Sequence, residues 1–250
     1  MQKELANRLK KTVYALARPE GRVVGSRGHE RARHFLMKRL EDDGLVPYTG
    51  ETFDLTYRRR KQELHNIIGV VPGTRRRKKP VLIGAHYDSV IPAPCADDNA
   101  AAVAIALEIG RLIQDNPIER DVIIALFDAE EPPFFGAASM GSVRFYEDQL
   151  NGRGVHAALI MDLVGHDVQL PLGMLPGLNR VPALQQKGLP IPYLRNLLFI
   201  SGAESHPQMA KVIGRAQRPD RLPTILTLNE KIGDMSDHGV FERTGFHTCF

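Results

Sequence analysis

The chain has 250 residues, of which 43% are hydrophobic and 25% are charged. This length suits one large globular domain, and the apolar fraction is too high for an intrinsically disordered chain. No stretch reaches the roughly 18 consecutive apolar residues of a transmembrane helix, so no membrane partner is expected. The N-terminus lacks the apolar core of a secretory signal, which predicts a cytoplasmic location unless a leader precedes it. Two cysteines, Cys95 and Cys249, exclude a disulfide scaffold and a four-thiolate zinc site.

The formal net charge of +4 comes from two short basic runs. They are residues 58–61 and 75–79, and without them the chain has 24 basic residues against 29 acidic ones. The β-branched stretch between the runs ends in a Pro-Gly turn, which predicts that both runs lie at one end of a strand pair. A basic patch can bind nucleic acid, but no interleaved aromatic residues accompany these runs. Solvated loops are therefore favoured, and no nucleic-acid partner is expected.

The spacing of apolar residues predicts two amphipathic helices, at residues 1–16 and 28–44. Short apolar runs follow, several of them continuous, as in strands buried on both faces. These runs are NIIGVV, VLIGAH, DVIIALFD, AALIMD, NLLFIS and TILTLN. Helical stretches lie between several of them, which predicts a layered α/β fold with a mainly parallel central sheet. Residues 165–195 contain several prolines and glycines without periodicity and are predicted to form an inserted loop.

Residue types that bind metal ions follow the predicted strands. In sheets of this kind, ligands bind beyond the carboxyl ends of the strands. The candidates at these ends, or in loops beside them, are His86, Asp88, Asp97, Asp98, Glu130, Glu131, Asp162 and His238. Each has a structural explanation on its own, such as a helix N-cap, a turn residue or a surface histidine. Together, two histidines and several carboxylates form the mixed nitrogen and oxygen set that zinc accepts.

A second metal-like motif lies in GHERARH, where His29, Glu30 and His34 resemble the H-E-x-x-H pattern. The two histidines are five residues apart, so on a helix their imidazoles point roughly 140° apart and cannot easily share a metal. We interpret the segment as an ordinary solvated helix face. No nucleophile elbow, C-x-x-C motif or phosphate-binding loop occurs, and Cys95 is interpreted as a structural or free thiol. Any chemistry is therefore predicted to be metal-based.

Five segments occur in the order and approximate spacing of the zinc-dependent aminopeptidases of the bacterial leucyl aminopeptidase type. They are GAHYDS, ADDNAAAVA, DAEEP, IMDLVG and SDHGVF. The wider family includes glutamate carboxypeptidases and glutaminyl cyclases, and the resemblance covers most of residues 20–245. It implies one zinc-peptidase domain over residues 1–250, with the three-layer, phosphorylase/hydrolase-like fold of zinc exopeptidases and a mixed sheet of about eight strands. It also implies that the protein removes the N-terminal residue of peptide substrates.

The resemblance further implies two zinc ions per chain. The ligands carried over are His86, Asp98 and Asp162 for one ion, and Asp98, Glu131 and His238 for the other. Asp98 would bridge the two ions, and Asp88 would fix the tautomer of His86. Glu130 would be the general base for a water activated by both ions. Because adjacent strand residues point to opposite sides, Glu130 and Glu131 require a bend at the strand exit, which Pro132 and Pro133 would help to impose.

The sequence departs from the family pattern at three places. After the bridging aspartate the family usually has a Ser-Gly pair, and this chain reads AAA, which is tolerable because alanine is also small. Where relatives have a Gly-Leu stretch, this chain reads PPFFG, so that Phe134 and Phe135 either shape a specificity pocket or pack under the loop. Relatives continue beyond SDHGVF, so we interpret FHTCF as a strand and the C-terminus as truncated. Two alternative functions stay open. One is a glutaminyl cyclase-like aminoacyltransferase with one zinc, against which the absence of tryptophan counts. The other is a non-catalytic relative that acts as a binding module.

Overall fold

The computed structural model describes most of the first 165 residues and shorter segments after them. The described ranges are 2–59, 62–75, 77–150, 153–165, 170–171, 193–194, 198–202, 224–228, 235–243 and 248–249. The helices are α1 (Gln2–Leu16), α2 (Arg27–Asp42), α3 (Ala102–Asp115), α4 (Gly141–Phe145) and α5 (His238–Arg243), with π-helical turns at Ala96–Ala101 and Tyr146–Leu150. Across these ranges, no helix combines the length and the apolar character that crossing a membrane requires.

Eleven strands are present in the described residues. They are β1 (Val46–Pro47), β2 (Asp54–Arg59), β3 (Gln62–Val71), β4 (Val81–His86), β5 (Val122–Phe127), β6 (Ala157–Ile160), β7 (Leu170–Pro171), β8 (Tyr193–Leu194), β9 (Leu198–Gly202), β10 (Thr224–Leu228) and β11 (Thr248–Cys249). Nine of them form one sheet in the order β1-β3-β5-β4-β6-β11-β9-β10, with β2 paired to β3. Strand β4 runs parallel to both β5 and β6, and β6 runs parallel to β11. The predicted α/β fold with a mixed central sheet is confirmed, and antiparallel pairs lie on both sides of this parallel centre.

Strand β5 separates two hydrophobic cores because successive side chains of a strand point to opposite faces. Val122, Ile124 and Leu126 belong to one core, which also contains side chains of α1, α2 and α3. Ile123, Ala125 and Phe127 belong to the other core, with residues of α4, the Tyr146–Leu150 turn and α5. Helices therefore cover both faces of the sheet, as the three-layer prediction requires.

The two basic runs lie at opposite ends of β3, and the prediction that they share one end of a strand pair was wrong. Strand β3 begins at Gln62, directly after the first run, and ends at Val71, before the second. Its ten residues span about 30 Å. The polar start of β3 is drawn into the sheet by pairing with β2, so the strand is longer than its apolar part. In the described part of the runs, Arg58 pairs with Glu63, and Arg75 and Lys78 pair with Glu119.

Strand β11 corresponds to the predicted FHTCF strand, and it pairs in parallel with β6. Most of the predicted inserted loop at residues 165–195 lies outside the described residues. Its two described pieces, β7 and β8, pair antiparallel in a separate two-stranded sheet. The single-domain organisation stays a prediction.

Replacement of a buried leucine in α2 should destabilise the fold measurably. Leu36 is 0% exposed in the first core, so Leu36→Ala should lower the free energy of unfolding by about 2 to 5 kcal/mol through lost contacts and a residual cavity. The control Leu112→Ala removes a leucine on α3 that is 41% exposed, and it should change the value by about 0.5 kcal/mol or less. Urea unfolding followed by circular dichroism measures both. Equal losses in the two variants would contradict the assignment of the core.

Candidate metal centre

His86 lies at the centre of the candidate site. It is the last residue of β4 and only 1% exposed. Because β4 lies between the parallel strands β5 and β6, the segments that follow all three strands meet at one edge of the sheet. The Nε2 atom of His86 lies 3.2 Å from Asp98 Oδ1, 3.6 Å from Asp162 Oδ1 and 3.9 Å from Glu130 Oε2. The sheet topology thus brings together residues that are distant in the sequence.

In the described part of the chain, two groups of residues could each hold a metal ion. Within each group, the potential ligand atoms all lie within 4.8 Å of one another. One group contains His86, Asp98 and Asp162, and the other contains His86, Glu130 and Glu131. The first group is the set predicted to bind one zinc ion. His238, at the start of α5, is fully buried but belongs to neither group. The structure therefore assembles the first predicted ligand set more tightly than the second.

Asp88 lies on the opposite side of the imidazole. Its Oδ1 is 3.4 Å from His86 Nδ1, so Nε2 is left to face the other carboxylates. Asp88 also accepts hydrogen bonds from the backbone N–H groups of Glu130, at 3.2 Å, and Glu131, at 3.1 Å. Burial raises the pKa of Asp88, but the adjacent imidazole of His86 and the hydrogen bonds from these N–H groups outweigh it and lower the pKa overall. One carboxylate thus contacts both the imidazole and the Glu130–Glu131 segment.

The neighbours of Asp98 connect its loop to the segment that carries Asp162. On one side, Asp97 Oδ1 accepts a hydrogen bond of 2.7 Å from the N–H of Gly165. On the other side, the buried side chain of Asn99 donates from Nδ2 to Met161 O at 3.0 Å. A Cβ atom at position 165 would lie 2.4 Å from Ala101 Cβ, so this approach requires glycine. These contacts fix the spacing between the two ligand-bearing segments.

Backbone strain is concentrated around the same residues. In the described ranges, three non-glycine residues have a positive φ, namely Cys95 at 40°, Ala129 at 55° and Leu163 at 49°. Such angles are unfavourable for residues with a Cβ atom and are typical of functional sites. Each of the three lies within three residues of a predicted ligand or base. The bend expected at the exit of β5 is present, but it begins at Ala129, before the Glu pair, rather than at the two prolines that follow.

Carboxyl groups in the site have raised pKa values. Burial raises the pKa of Glu130 to about 9, with the charges of Asp237 and Asp88 acting in the same direction and His86 opposing them. Burial and the charge of Asp98 raise the pKa of Glu131 to about 7. Burial lowers the pKa of His86, but the neighbouring carboxylates of Asp162, Asp88 and Asp98 raise it well above its ordinary value. A divalent cation would be favoured here because it supplies the positive charge that these carboxylates lack.

The donor atoms fit a zinc site. Asp162 Oδ1 and Glu131 Oε1 are buried without a hydrogen-bond partner. Buried polar atoms in proteins are nearly always paired, so two unpaired carboxylate oxygens near one imidazole are available as ligands. Imidazole nitrogen and carboxylate oxygen are ligand types that zinc accepts.

His29 is buried, and its interpretation as part of a solvated helix face was wrong. It is 3% exposed, its Nε2 lies 2.8 Å from Asp128 Oδ1, and its ring stacks on Tyr87 with 5.1 Å between centroids. His34 is exposed and pairs with Glu30, so the two imidazoles do point apart as predicted. The missed signal was helical spacing, because His29 falls on the stripe formed by the buried Ala32, Leu36 and Leu40.

Asp128 anchors the exit of β5 next to the site. Its Oδ2 accepts a 2.7 Å hydrogen bond from the N–H of His65, and its own N–H donates to Asn66 Oδ1. With the contact to His29, this fully buried carboxylate joins α2, β3 and β5. Sequence reasoning also missed Asp237, a buried carboxylate beside His238 whose pKa is raised to about 7 by burial.

The two phenylalanines after the Glu pair behave differently. Phe134 is 7% exposed and packs with Leu64 and Ala129, so it supports the loop from below. Phe135 is 42% exposed. Packing under the loop is thus the observed arrangement for the first of them.

Comparison with known proteins places the chain among metallopeptidases. A family model described as Peptidase family M28 matches residues 66–250. Aminopeptidase YwaD of Bacillus subtilis (strain 168) is 30% identical over 108 residues, which are 42% of this chain and 22% of that protein. The vacuolar membrane protease of Schizosaccharomyces pombe (strain 972 / ATCC 24843) is 32% identical over 133 residues, which are 47% of this chain and 15% of that protein. The chain thus matches less than a third of the length of these curated relatives.

A solved structure shares the fold at low sequence identity. LapB from Legionella pneumophila has a TM-score of 0.65 at 18% identity, covering 97% of this chain and 60% of that one. Such identity supports the fold alone, which is the predicted zinc-exopeptidase type.

The His29–Asp128 pair should make stability depend on pH. Burial alone would lower the pKa of His29, but the hydrogen bond and charge of Asp128, aided by Asp88 and Glu30, raise it above 6.5. A histidine whose pKa is raised in the folded state stabilises the fold. This stabilisation is complete when the pH is below the pKa of the unfolded state, and it is lost as the pH rises through the pKa of the folded state. The stability advantage of the unmodified chain over His29→Gln should therefore shrink with increasing pH.

Urea unfolding between about pH 5.5 and 8.5 tests this expectation. The control is His34→Gln, which removes the exposed histidine of the same helix and should change the free energy of unfolding by about 0.5 kcal/mol or less. A constant difference for His29→Gln would contradict the pairing.

Proposed function

The chain belongs to peptidase family M28, and on that premise we propose that it is a zinc-dependent aminopeptidase, which hydrolyses the N-terminal residue of peptides. The observation that carries the proposal is the position of His86, whose Nε2 lies 3.2 Å from Asp98 Oδ1 and 3.6 Å from Asp162 Oδ1 at the meeting ends of parallel strands. The relative YwaD is named an aminopeptidase, which supports this choice within the family.

The proposed ligands follow the predicted sets. His86, Asp98 and Asp162 would hold one zinc ion, and their mutual distances support this set most directly. Asp98, Glu131 and His238 would hold a second ion, with Asp98 shared. The second set is supported by the unpaired, buried Glu131 Oε1 and by the complete burial of His238. Three carboxylates would offset most of the charge of two dications.

Glu130 is the proposed general base. Zinc at these ligands would polarise the scissile carbonyl, acidify the attacking water and lower the pKa of the surrounding carboxyl groups. Glu130 is 5% exposed, and the hydrogen bond from its N–H to Asp88 fixes its backbone. Its carboxylate accepts the proton of the water and then delivers it to the leaving amine.

Asp88 positions the residues that act on the substrate. It faces Nδ1 of His86, which keeps Nε2 directed at the ligand side. The same carboxylate holds the N–H groups of Glu130 and Glu131. A shift of Asp88 would therefore move a ligand and the base together.

Glu130→Gln should separate catalysis from metal binding. It removes the proton acceptor but none of the proposed ligands, so zinc content should be unchanged while kcat falls by about 10² to 10⁴-fold. Glu131→Gln, one residue further, should instead lower zinc content. The exposed Glu41→Gln on α2 is the control and should change neither quantity. Elemental analysis and steady-state hydrolysis of aminoacyl amides measure both. Full activity in Glu130→Gln would contradict its role as base.

A substrate panel tests the reaction class. Aminoacyl chromogenic amides and a peptide with N-terminal glutamine are incubated with and without chelator. We expect cleavage of the amides, loss of cleavage with chelator, and about two zinc ions per chain. Ring closure of the glutamine peptide with one zinc would favour the cyclase alternative. The solved glutaminyl cyclase of Porphyromonas gingivalis shares this fold with a TM-score of 0.60 at 17% identity, covering 97% of this chain and 81% of that one. Bound zinc without either reaction would favour a binding module.

A further inference from the structure

Arg22 lies in the loop between α1 and α2, outside the five motifs, and is 1% exposed. In the described part of the chain, each side-chain hydrogen bond of Arg22 ends on a backbone carbonyl oxygen rather than on a carboxylate. Nε donates to Tyr87 O at 2.7 Å, Nη1 donates to Leu16 O at 3.2 Å and Pro94 O at 3.0 Å, and Nη2 donates to Cys95 O at 3.0 Å and Asp98 O at 3.3 Å. The guanidinium thus uses all three nitrogens to bind backbone.

Two of these carbonyl groups lie at the two ends of one loop. Tyr87 directly follows His86, and the other carbonyl belongs to Asp98 itself. Residues 87–98 therefore form a loop that begins next to one proposed ligand and ends at another. A guanidinium is planar and its nitrogens have a fixed spacing, so Arg22 holds the two ends at a defined separation. Across these ends, His86 Nε2 lies 3.2 Å from Asp98 Oδ1.

The backbone of Arg22 is fastened to the same loop. Its N–H donates to Ser89 Oγ at 2.8 Å, and the N–H of Ser89 donates to Arg22 O at 3.2 Å. The preceding Gly21 has a φ of +66°, and a Cβ atom there would lie 2.6 Å from Ile91 O. The chain therefore approaches the loop so closely that only glycine fits next to Arg22. The guanidinium therefore extends into the loop from a backbone segment that is itself hydrogen-bonded to that loop.

Burying the guanidinium of Arg22 removes a positive charge from water, which costs free energy unless the charge is compensated. Burial lowers the pKa of Arg22, and the charges of neighbouring Asp88 and Asp98 oppose this effect. An apolar residue could fill the same space without this desolvation cost. Space filling alone therefore does not account for a buried guanidinium with carbonyl partners at both ends of one loop.

We propose that Arg22 is a positioning residue of the metal centre, which sets the separation of His86 and Asp98 by joining the two ends of the 87–98 loop. The proposal rests on the proposed function, because it takes these two residues to be zinc ligands. In the described residues the side-chain hydrogen bonds of Arg22 all end on backbone carbonyl groups, so Arg22 acts through the loop. Its contribution is therefore to metal affinity and coordination geometry.

The test compares Arg22→Lys and Arg22→Met with the matched control Arg39→Met. Arg39 also makes several side-chain hydrogen bonds, to Thr12, Asp43 and Glu108, but it lies in the helical layer. Zinc dissociation constants are measured on the full chain by competition with a chromophoric chelator, and coordination geometry is followed by the visible absorption spectrum of the Co²⁺ form. Thermal unfolding of each variant measures the structural effect separately.

We expect Arg22→Met to weaken zinc binding by about 10 to 100-fold and to change the cobalt spectrum. Arg22→Lys should do so as well although it keeps the charge, because one ammonium nitrogen cannot reproduce the fixed spacing of the guanidinium Nε and Nη2 atoms that bind Tyr87 O and Asp98 O. Arg39→Met should lower the unfolding temperature but keep the affinity and the spectrum of the unmodified chain.

Each other outcome has a distinct meaning. An unmodified chain that binds no zinc overturns the proposed function itself. If the unmodified chain binds zinc and both Arg22 variants bind it equally well, the positioning role is overturned while the proposed function stands. An equal loss of affinity in Arg39→Met would reduce the effect to general destabilisation. Failure of both Arg22 variants to fold at any temperature would make Arg22 a determinant of the fold, which also overturns the positioning role.

Discussion

The imidazole of His86 has a carboxylate on each of its two nitrogens. Asp88 lies 3.4 Å from Nδ1, and Asp98 lies 3.2 Å from Nε2. His86 is the last residue of the central parallel strand, and the other carboxyl groups of the site lie around its ring. Acidic groups brought this close together inside a protein repel one another, and the raised pKa of Glu130 and of Glu131 reflects that repulsion together with burial. The remainder of the site must hold these side chains in spite of it.

Side chains that repel one another cannot fix each other's positions, so the restraints come from backbone groups and neighbouring residues. Asp88 accepts hydrogen bonds from the backbone N–H groups of Glu130 and Glu131. Asn99 donates to the carbonyl of Met161, the residue before Asp162. Asp128 binds the N–H of His65 on the adjacent strand. In each case a residue within three positions of a proposed ligand joins two segments through its side chain. These contacts restrain the segments that carry the proposed ligands, and such restraint favours a well-defined coordination geometry.

The sequence predicted the part of the site that depends on local pattern. Continuous apolar runs mark buried strands, and parallel strands place their last residues at one edge, so His86, Glu130 and Asp162 could be grouped without a structure. His29 and Arg22 could not be grouped in this way, because their partners are distant in the sequence. Asp128 lies 99 residues from His29, and Tyr87 lies 65 residues from Arg22. The placement of the basic runs failed for a related reason, since the polar start of β3 is fixed by pairing with β2 and not by its own hydrophobicity.

The supporting residues also join the N-terminal segment to the candidate metal centre. The M28 match begins at residue 66, and every predicted ligand lies after that point. Arg22 and His29 lie before it, yet they bind the carbonyl groups of the 87–98 loop and the carboxylate that anchors the end of β5. Without Arg22 the buried carbonyl groups would each lose a hydrogen-bond partner, at a cost of about 1 to 3 kcal/mol for each group. Without His29, Asp128 would lose one contact but keep those to the N–H groups of His65 and Ala129. Helices α1 and α2 share the first core with β3, β4 and β5, so the same packing that stabilises the sheet also delivers these two side chains to the site. Fold stability and the geometry of the metal centre therefore depend on the same N-terminal contacts.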